Sequence, residues 1–345
     1  MMARRAANDE LAELVQGEQT DAVRVLEDRI AVRAVGTLDD RFTILSQRSL
    51  TAWVTAFGGV AAEASDPGAL RRILASIRAA IRRLLTPLGR RAEQVLTEAL
   101  AEAVMLGAQQ HAAFVSEATG RRNRPVTSRV SGALRARAAA ITQAVTDRRD
   151  RALAALRPNR TRRWSEVQTG IGVARSAIPA VRTHITTTVN EAVNEAAETA
   201  IKHAGEKKVW IAERDACVNC AAYAGLTVAA EAKFPAGLSW DPNQRGRGEA
   251  LAAPPKHPSC RCRVTAWQDA WKQDGVISFP DSLRREARRS IARGWSLPTE
   301  SGAARIRAAR ELLRTGAGLP KSVEEFAAQA VRAGRFADRT FPTGP

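Results

Sequence analysis

The sequence predicts a mainly α chain: an elongated helical region over residues 1–204, a small α+β module over 205–267 and a basic helical tail over 268–345. Three observations predict it. Apolar residues recur at helical spacing as far as His203, the pattern of helix-on-helix packing. The period then shortens after Gly205, where Lys208-Val-Trp-Ile-Ala212 is short and rich in strand-forming residues. Aromatics make up only 5% of the chain, so burial has to come from Ala, Leu and Val, not from one large aromatic core.

Helix is expected from Arg5 to His203. Leu74, Ile77, Ile81, Leu84 and Leu88 form one apolar seam, with a break expected at Pro87 and Gly89. A second seam follows through Val95, Leu96, Leu100 and Val104. Arg121 to Pro125 is a polar connector. Val130, Leu134, Ala138, Ile141 and Val145 mark a further helix, which stops before Pro158. Beyond the Thr161-Arg-Arg-Trp164 join, Val181, Ile185, Val189 and Val193 mark another, reaching Ile201.

In the module, strands are expected at 208–212, 226–228 and 262–266, with a turn at Cys217–Cys220. Four Pro and three Gly between Pro235 and Pro255 predict a long irregular loop that returns His257 to the first cysteines. The tail reads as helices over Leu283–Ile291, Ala303–Arg314 and Ser322–Ala333. Ser322-Val-Glu-Glu325 has the form of a capping box, and Gly316 and Gly334 stand where C-caps belong. The last two helices do not distinguish a helix-turn-helix from an ordinary helical hairpin. Pro342 and Pro345 suggest a frayed end.

The net charge is +17 and unevenly spread: residues 1–40 carry −4, 41–200 carry +12 and 201–345 carry +9. So basic a chain favours polyanionic partners, DNA or an acidic protein surface, with an attraction that weakens in salt. No apolar run approaches a membrane span, and no secretory leader is read at the start, where Asp9 and Glu10 follow Arg4 and Arg5.

All four cysteines lie within 46 residues, as Cys217-Val-Asn-Cys220 and His257-Pro-Ser-Cys260-Arg-Cys262. C-x2-C turns two thiolates toward one point, and H-x2-C does the same with an imidazole and a thiolate. Together they are the donor set of a tetrahedral Zn²⁺ site. Two disulfides are the alternative, disfavoured because Cys260 and Cys262 are too close to bond comfortably. A module of about 60 residues is near the size at which a core alone is marginal, so a structural metal would supply stability.

The same segment carries a family resemblance. Trp210-Ile-Ala-Glu-Arg-Asp215-Ala-Cys217-Val-Asn-Cys220, then Gly225, then Pro254-Pro255-Lys-His257-Pro258-Ser-Cys260-Arg261-Cys262, resembles the phage Mu F-like head morphogenesis (minor capsid) family over roughly residues 185–267. The resemblance implies a virion protein made in the host cytoplasm and retained inside the capsid near the portal vertex. Its implied partners are the portal and major capsid proteins, with packaged DNA as a further expected contact. It implies Cys217, Cys220, His257 and Cys260 as the zinc ligands, with Cys262 as the alternative, because the position after Cys-Arg varies in the family. Arg261 is then a candidate partner contact or a brace of the metal turn.

The chemistry expected is structural and not enzymatic. Five candidate ligands compete for four places, which favours a closed site over one with an open position for water. Glu213 and Asp215 are the carboxylates near enough to act as a base, and Asp215 is read as orienting the turn instead. No H-E-x-x-H or G-x4-G-K-[ST] occurs in the sequence. A His-Asn-His nuclease would need a catalytic histidine between Cys220 and His257, where there is none. His111 and His184 are read as surface or interhelix residues, and His203 as a helix-end residue suited to the dipole. The rival readings are a zinc-dependent DNA-processing enzyme and a zinc-stapled DNA-binding protein.

Overall fold

The computed structural model describes residues 7–271, 277–316 and 318–342; the expected helix start at Arg5 and the frayed end at Pro345 lie outside them. Helices α1 (Asn8–Gln16), α2 (Glu18–Val35), α3 (Leu38–Phe57), α4 (Pro67–Thr119), α5 (Gly132–Ala155), α6 (Trp164–Arg175) and α7 (Ala177–Ala204) come first. Then follow β1 (Lys207–Ile211), the short α8 (Val218–Ala221), β2 (Thr227–Val228), a 3-10 turn at Pro242–Gln244 and β3 (Arg263–Trp267). The tail holds α9 (Phe279–Arg293), α10 (Gly302–Arg314) and α11 (Lys321–Ala333). The fold is mainly α with one small three-stranded sheet, as expected.

The residues form two compact units, Leu26–Ala101 with Val130–Thr188, and the remainder of the described chain. These do not follow the division at 204 and 267. Residues 205–267 have no core of their own. Trp210 and Tyr223 share one buried cluster with Leu11 of α1, Phe114 of α4, Ile201 of α7, Leu283 of α9 and Leu312 of α10. Three short strands and a loop are too little chain to close a core, so the module recruits helices from both ends of the sequence.

In the all-helical unit the seams are buried as their spacing predicts: Leu74, Ile77, Ile81 and Leu88 on α4, and Leu134, Ala138, Ile141 and Val145 on α5. On α4, however, Leu85 is buried and Leu84 only half so. The break expected at Pro87 does not occur. Proline removes one helical hydrogen bond, at a cost of about 3 kcal/mol, and burial of Leu85 and Leu88 on either side holds the helix together across it. Gly89 is a packing residue and not a breaker, since a Cβ there would sit 3.2 Å from the Thr142 Cα of α5. The apolar seams do not predict helix α6 as a separate element. Glu166 starts it by accepting the Arg162 and Arg163 amides at 2.6 and 3.0 Å, and its buried Trp164 lies 6.1 Å from Trp53 of α3.

In the mixed unit the sheet order is β2-β1-β3, antiparallel throughout, with Val209 opposite both Thr227 and Thr265. Helices α1 and α9 pack on each other, and α9, α10 and α11 close the tail. Gly334 caps α11 in the left-handed conformation. Ser322 caps nothing: α11 begins one residue earlier behind Pro320, which places Ser322 inside the first turn and leaves the expected capping box unformed. No described helix is long and apolar enough to cross a membrane.

Candidate metal centre

The first pair of cysteines sits at the start of α8. Cys217 has extended backbone angles and caps the helix, and its Sγ accepts the Cys220 amide at 3.5 Å. One turn on, Cys220 points the same way from a buried position. The second pair closes a tight turn in which the Cys260 amide donates to the His257 carbonyl at 3.0 Å. Ser259, with φ of 60°, supplies the left-handed residue that turn requires. From there Cys262 leads directly into β3.

These elements bring five donor side chains together. His257 Nε2 lies 3.2 Å from both Cys217 Sγ and Cys220 Sγ, and Cys220 Sγ lies 3.7 Å from Cys260 Sγ. Four ligands set tetrahedrally around one Zn²⁺ have N and S about 3.5 Å apart and two sulfurs about 3.8 Å apart, which these spacings approach. Cys262 is brought in as well: Cys220, Cys260 and Cys262 form a second close set sharing Cys220 with the first. All four cysteines are unbridged, against the disulfide alternative. The cluster can therefore hold a metal ion.

The imidazole is already oriented for that task. Its Nδ1 donates to the Pro258 carbonyl at 2.8 Å, a contact that keeps a proton on Nδ1 and turns Nε2, the atom free to bind a metal, toward the thiols. Without metal, hydrogen bonding to Cys217 raises His257 to about 9. A hydrogen bond from Cys220 lowers Cys217, and bonds from Cys220 and Cys262 lower Cys260. The cluster therefore favours two thiolates beside an imidazolium, a charge pattern that a divalent cation replaces with release of protons.

Residues the motif does not name hold the turns in place. Asn190 on α7 donates to the carbonyls of Cys260 and Cys262 at 2.8 and 3.0 Å. Asn194, one turn later, donates to Cys262 O at 3.1 Å and accepts the Val264 amide at 2.9 Å. On the other side, Glu300 accepts the Val218 amide at 2.7 Å, and fully buried Arg305 bonds both Glu300 and the Ala216 carbonyl. Both Asn residues carry a signal in sequence, since they sit at i and i+4 beside the apolar Val189 and Val193. Arg305 falls within the Ala308-Ala309-Leu312 seam of α10, where a cation is out of place unless it has a partner.

The remaining motif positions have structural explanations. Trp210 is fully buried, 4.8 Å from the Tyr223 ring and 5.1 Å from that of Phe234. Gly225 has φ of 70°, and a Cβ there would lie 2.0 Å from Pro280 O, so only glycine allows α9 to approach. Asp215 lies 3.7 Å from Arg24, which also bonds buried Glu213 at 2.8 Å. Arg261 is half-buried, and its charge opposes the burial that raises Glu213.

Of the other histidines, His111 is buried and not superficial, 3.7 Å from Glu206, while half-buried His184 meets the Arg137 carbonyl of α5 at 2.6 Å. Comparison with protein families, with curated proteins and with solved structures finds no match for the chain.

Proposed function

We propose that this chain is a phage head-morphogenesis (minor capsid) protein whose Cys/His cluster is a structural Zn²⁺ site. The ligands in this reading are Cys217, Cys220, His257 and Cys260. The observation that carries it is that the side chains of the C-x2-C and HP-x-C-R-C motif converge on one another around Cys220, with the imidazole turned inward. The zinc, when bound, supplies cross-linking of two distant turns and no reaction chemistry. The chain's own residues fix the turns through Asn190, Asn194, Glu300 and Arg305, leaving a closed, thiolate-rich donor set. The carboxylates beside the cluster are engaged elsewhere, Glu213 by Arg24 and Glu300 by Arg305. In this reading the portal or major capsid protein is the partner, Arg261 contributes to that contact, and exposed arginines of 41–200 and 278–345 face packaged DNA.

The test is where the protein goes in infected cells. Co-sedimentation with assembled heads, lost in a His257→Ala/Cys260→Ser variant that keeps its helical circular dichroism, supports the reading. Wild-type protein that stays in the soluble lysate while heads assemble overturns it. The DNA contact is read separately by binding that is indifferent to sequence and falls by orders of magnitude between low and moderate salt.

A further inference from the structure

Helix α3 presents two faces. One carries buried Phe42 and Trp53, with Trp53 against Trp164 of α6. The other bears Arg41, Ile44, Leu45, Arg48 and Ala52 at i, i+3, i+4, i+7 and i+11, and it borders an open groove of roughly 400 Å³. Helix α4 supplies the opposite wall, with Ile73, Ile77, Ala80 and Leu84 at the floor and Arg83 at the rim. Ile44 is 46% exposed there. Each wall runs for twelve residues, about 16 Å or three helical turns, the length of a docked helix segment. Arg41, Arg48 and Arg83 form no ion pair among the described residues, and no carboxylate lines the groove.

The complementary surface is on the same chain. The outer face of α2 carries Asp21, Val25, Asp28 and Val32 at i, i+4, i+7 and i+11, all exposed. Val25 and Val32 are 67% and 63% exposed, the most exposed large apolar side chains of the described residues. Its span equals that of the groove, its carboxylates match the unpaired guanidinium groups, and its valines match the apolar floor. A nucleic-acid backbone would use the arginines but has no use for exposed Ile44 or half-buried Leu84. An acidic amphipathic helix uses both.

We propose that the α3–α4 groove binds the Asp21–Val32 face of α2 from a second copy of this chain. Because the two surfaces differ, the contact is head-to-tail, and each copy keeps one groove and one α2 face for further neighbours. The proposal is independent of the metal centre and of membership in the capsid, and it takes Arg41, Arg48 and Arg83 out of the arginines assigned to DNA.

Sedimentation equilibrium of the full chain in low and high salt tests it. The wild type associates in low salt, and the association weakens as salt rises. Arg48→Glu/Arg83→Glu and, separately, Asp21→Arg/Asp28→Arg each weaken association by roughly tenfold to a hundredfold. All four substitutions in one chain restore it. Arg71→Glu/Arg72→Glu, which changes net charge equally on α4 outside the groove, leaves it unchanged. The substituted residues are exposed, so unchanged circular dichroism accompanies every variant. A wild type that is monomeric in low salt overturns the proposal, as does association that ignores the reversals, falls equally with the Arg71/Arg72 control, or fails to return in the fourfold variant.

Discussion

Asn190 on α7 spans the carbonyls of Cys260 and Cys262, one side chain holding both ends of the Cys-Arg-Cys segment. Its amide is fully buried, so truncation leaves the Cys260 carbonyl without its donor and the Cys262 carbonyl with Asn194 alone. Asn190→Ala is expected to lower stability by about 2–4 kcal/mol and to weaken metal binding by roughly tenfold to a hundredfold. Urea unfolding and competition with a chromophoric chelator measure the two effects. Asn190→Asp, which keeps the shape but offers no donor, should be at least as damaging.

The Glu300–Arg305 pair ties the tail to the first cysteine turn. Both groups are buried, and burial pushes Glu300 up and Arg305 down from their ordinary values. Removing one partner strands a buried charge, so Arg305→Met should cost about 3–5 kcal/mol. Glu300→Gln/Arg305→Met together should cost less than the sum of the single changes. The same contact predicts that a chain ending at residue 270 loses the metal turn along with the tail. Limited proteolysis and metal stoichiometry of that truncation check this.

The elements of this fold were legible in sequence where one periodicity ruled, as on α5, and where ligand types clustered, as at Cys217 and His257. What local pattern does not show depends on partners distant along the chain. Pro87 stays helical because Leu85 and Leu88 are buried on either side of it. Ser322 fails as a cap because Pro320 opens the helix earlier. Residues 205–267 share their core with both ends of the chain, since Trp210 and Tyr223 lie in one cluster with Leu11 and Leu312, a grouping that no local pattern records. Asn190 and Arg305 were readable as polar interruptions of apolar seams, but their acceptors were not.

Two glycines on helices should respond in opposite ways. A Cβ on Gly107 would lie 2.2 Å from the Val193 carbonyl of α7, a collision with backbone that cannot rotate aside. Gly107→Ala is expected to cost about 2–4 kcal/mol despite the better helix propensity of alanine. Gly132, at the start of α5, has nothing within 4 Å of its Cβ position. Gly132→Ala should be neutral or stabilise by up to about 1 kcal/mol. Thermal melts of the two variants would reverse the packing argument if both moved the same way.

Burial raises the Glu213 carboxyl to about 7 against the pull of Arg24, and burial also lifts Glu206 to about 7. A carboxyl raised in the folded state holds a proton that the unfolded chain has lost. Its contribution is full below the ordinary 4.5 and is lost as pH rises through 7. Burial moves His111 the other way, to about 4, so its contribution is lost as pH falls from 6.5 toward 4. The two effects oppose each other below 6.5, and the carboxyls act alone above it. Urea midpoints at saturating metal should therefore fall from pH 6.5 and level off about one unit above 7, at no more than about 1.4 kcal/mol per pH unit for each proton. Glu213→Gln should flatten that fall. An unchanged slope in the variant would assign it to other groups.

Five donors for four places leave one to be spare, and cobalt reads which. Co²⁺ in a thiolate-rich tetrahedral site absorbs intensely, with charge-transfer bands that scale with the number of bound sulfurs. With Cys217, Cys220, His257 and Cys260 as ligands, Cys262→Ser keeps the wild-type spectrum and unit stoichiometry. His257→Ala in that case perturbs the bands and lowers affinity by at least about tenfold, because Cys262 must move to replace it. Binding should weaken as pH falls, since His257 and Cys220, which hold protons in the metal-free cluster, must give them up to bind the ion. If Cys262→Ser instead removes a charge-transfer band and His257→Ala leaves the spectrum intact, the site is all-thiolate. His257 then closes the turn through Pro258 without touching the ion.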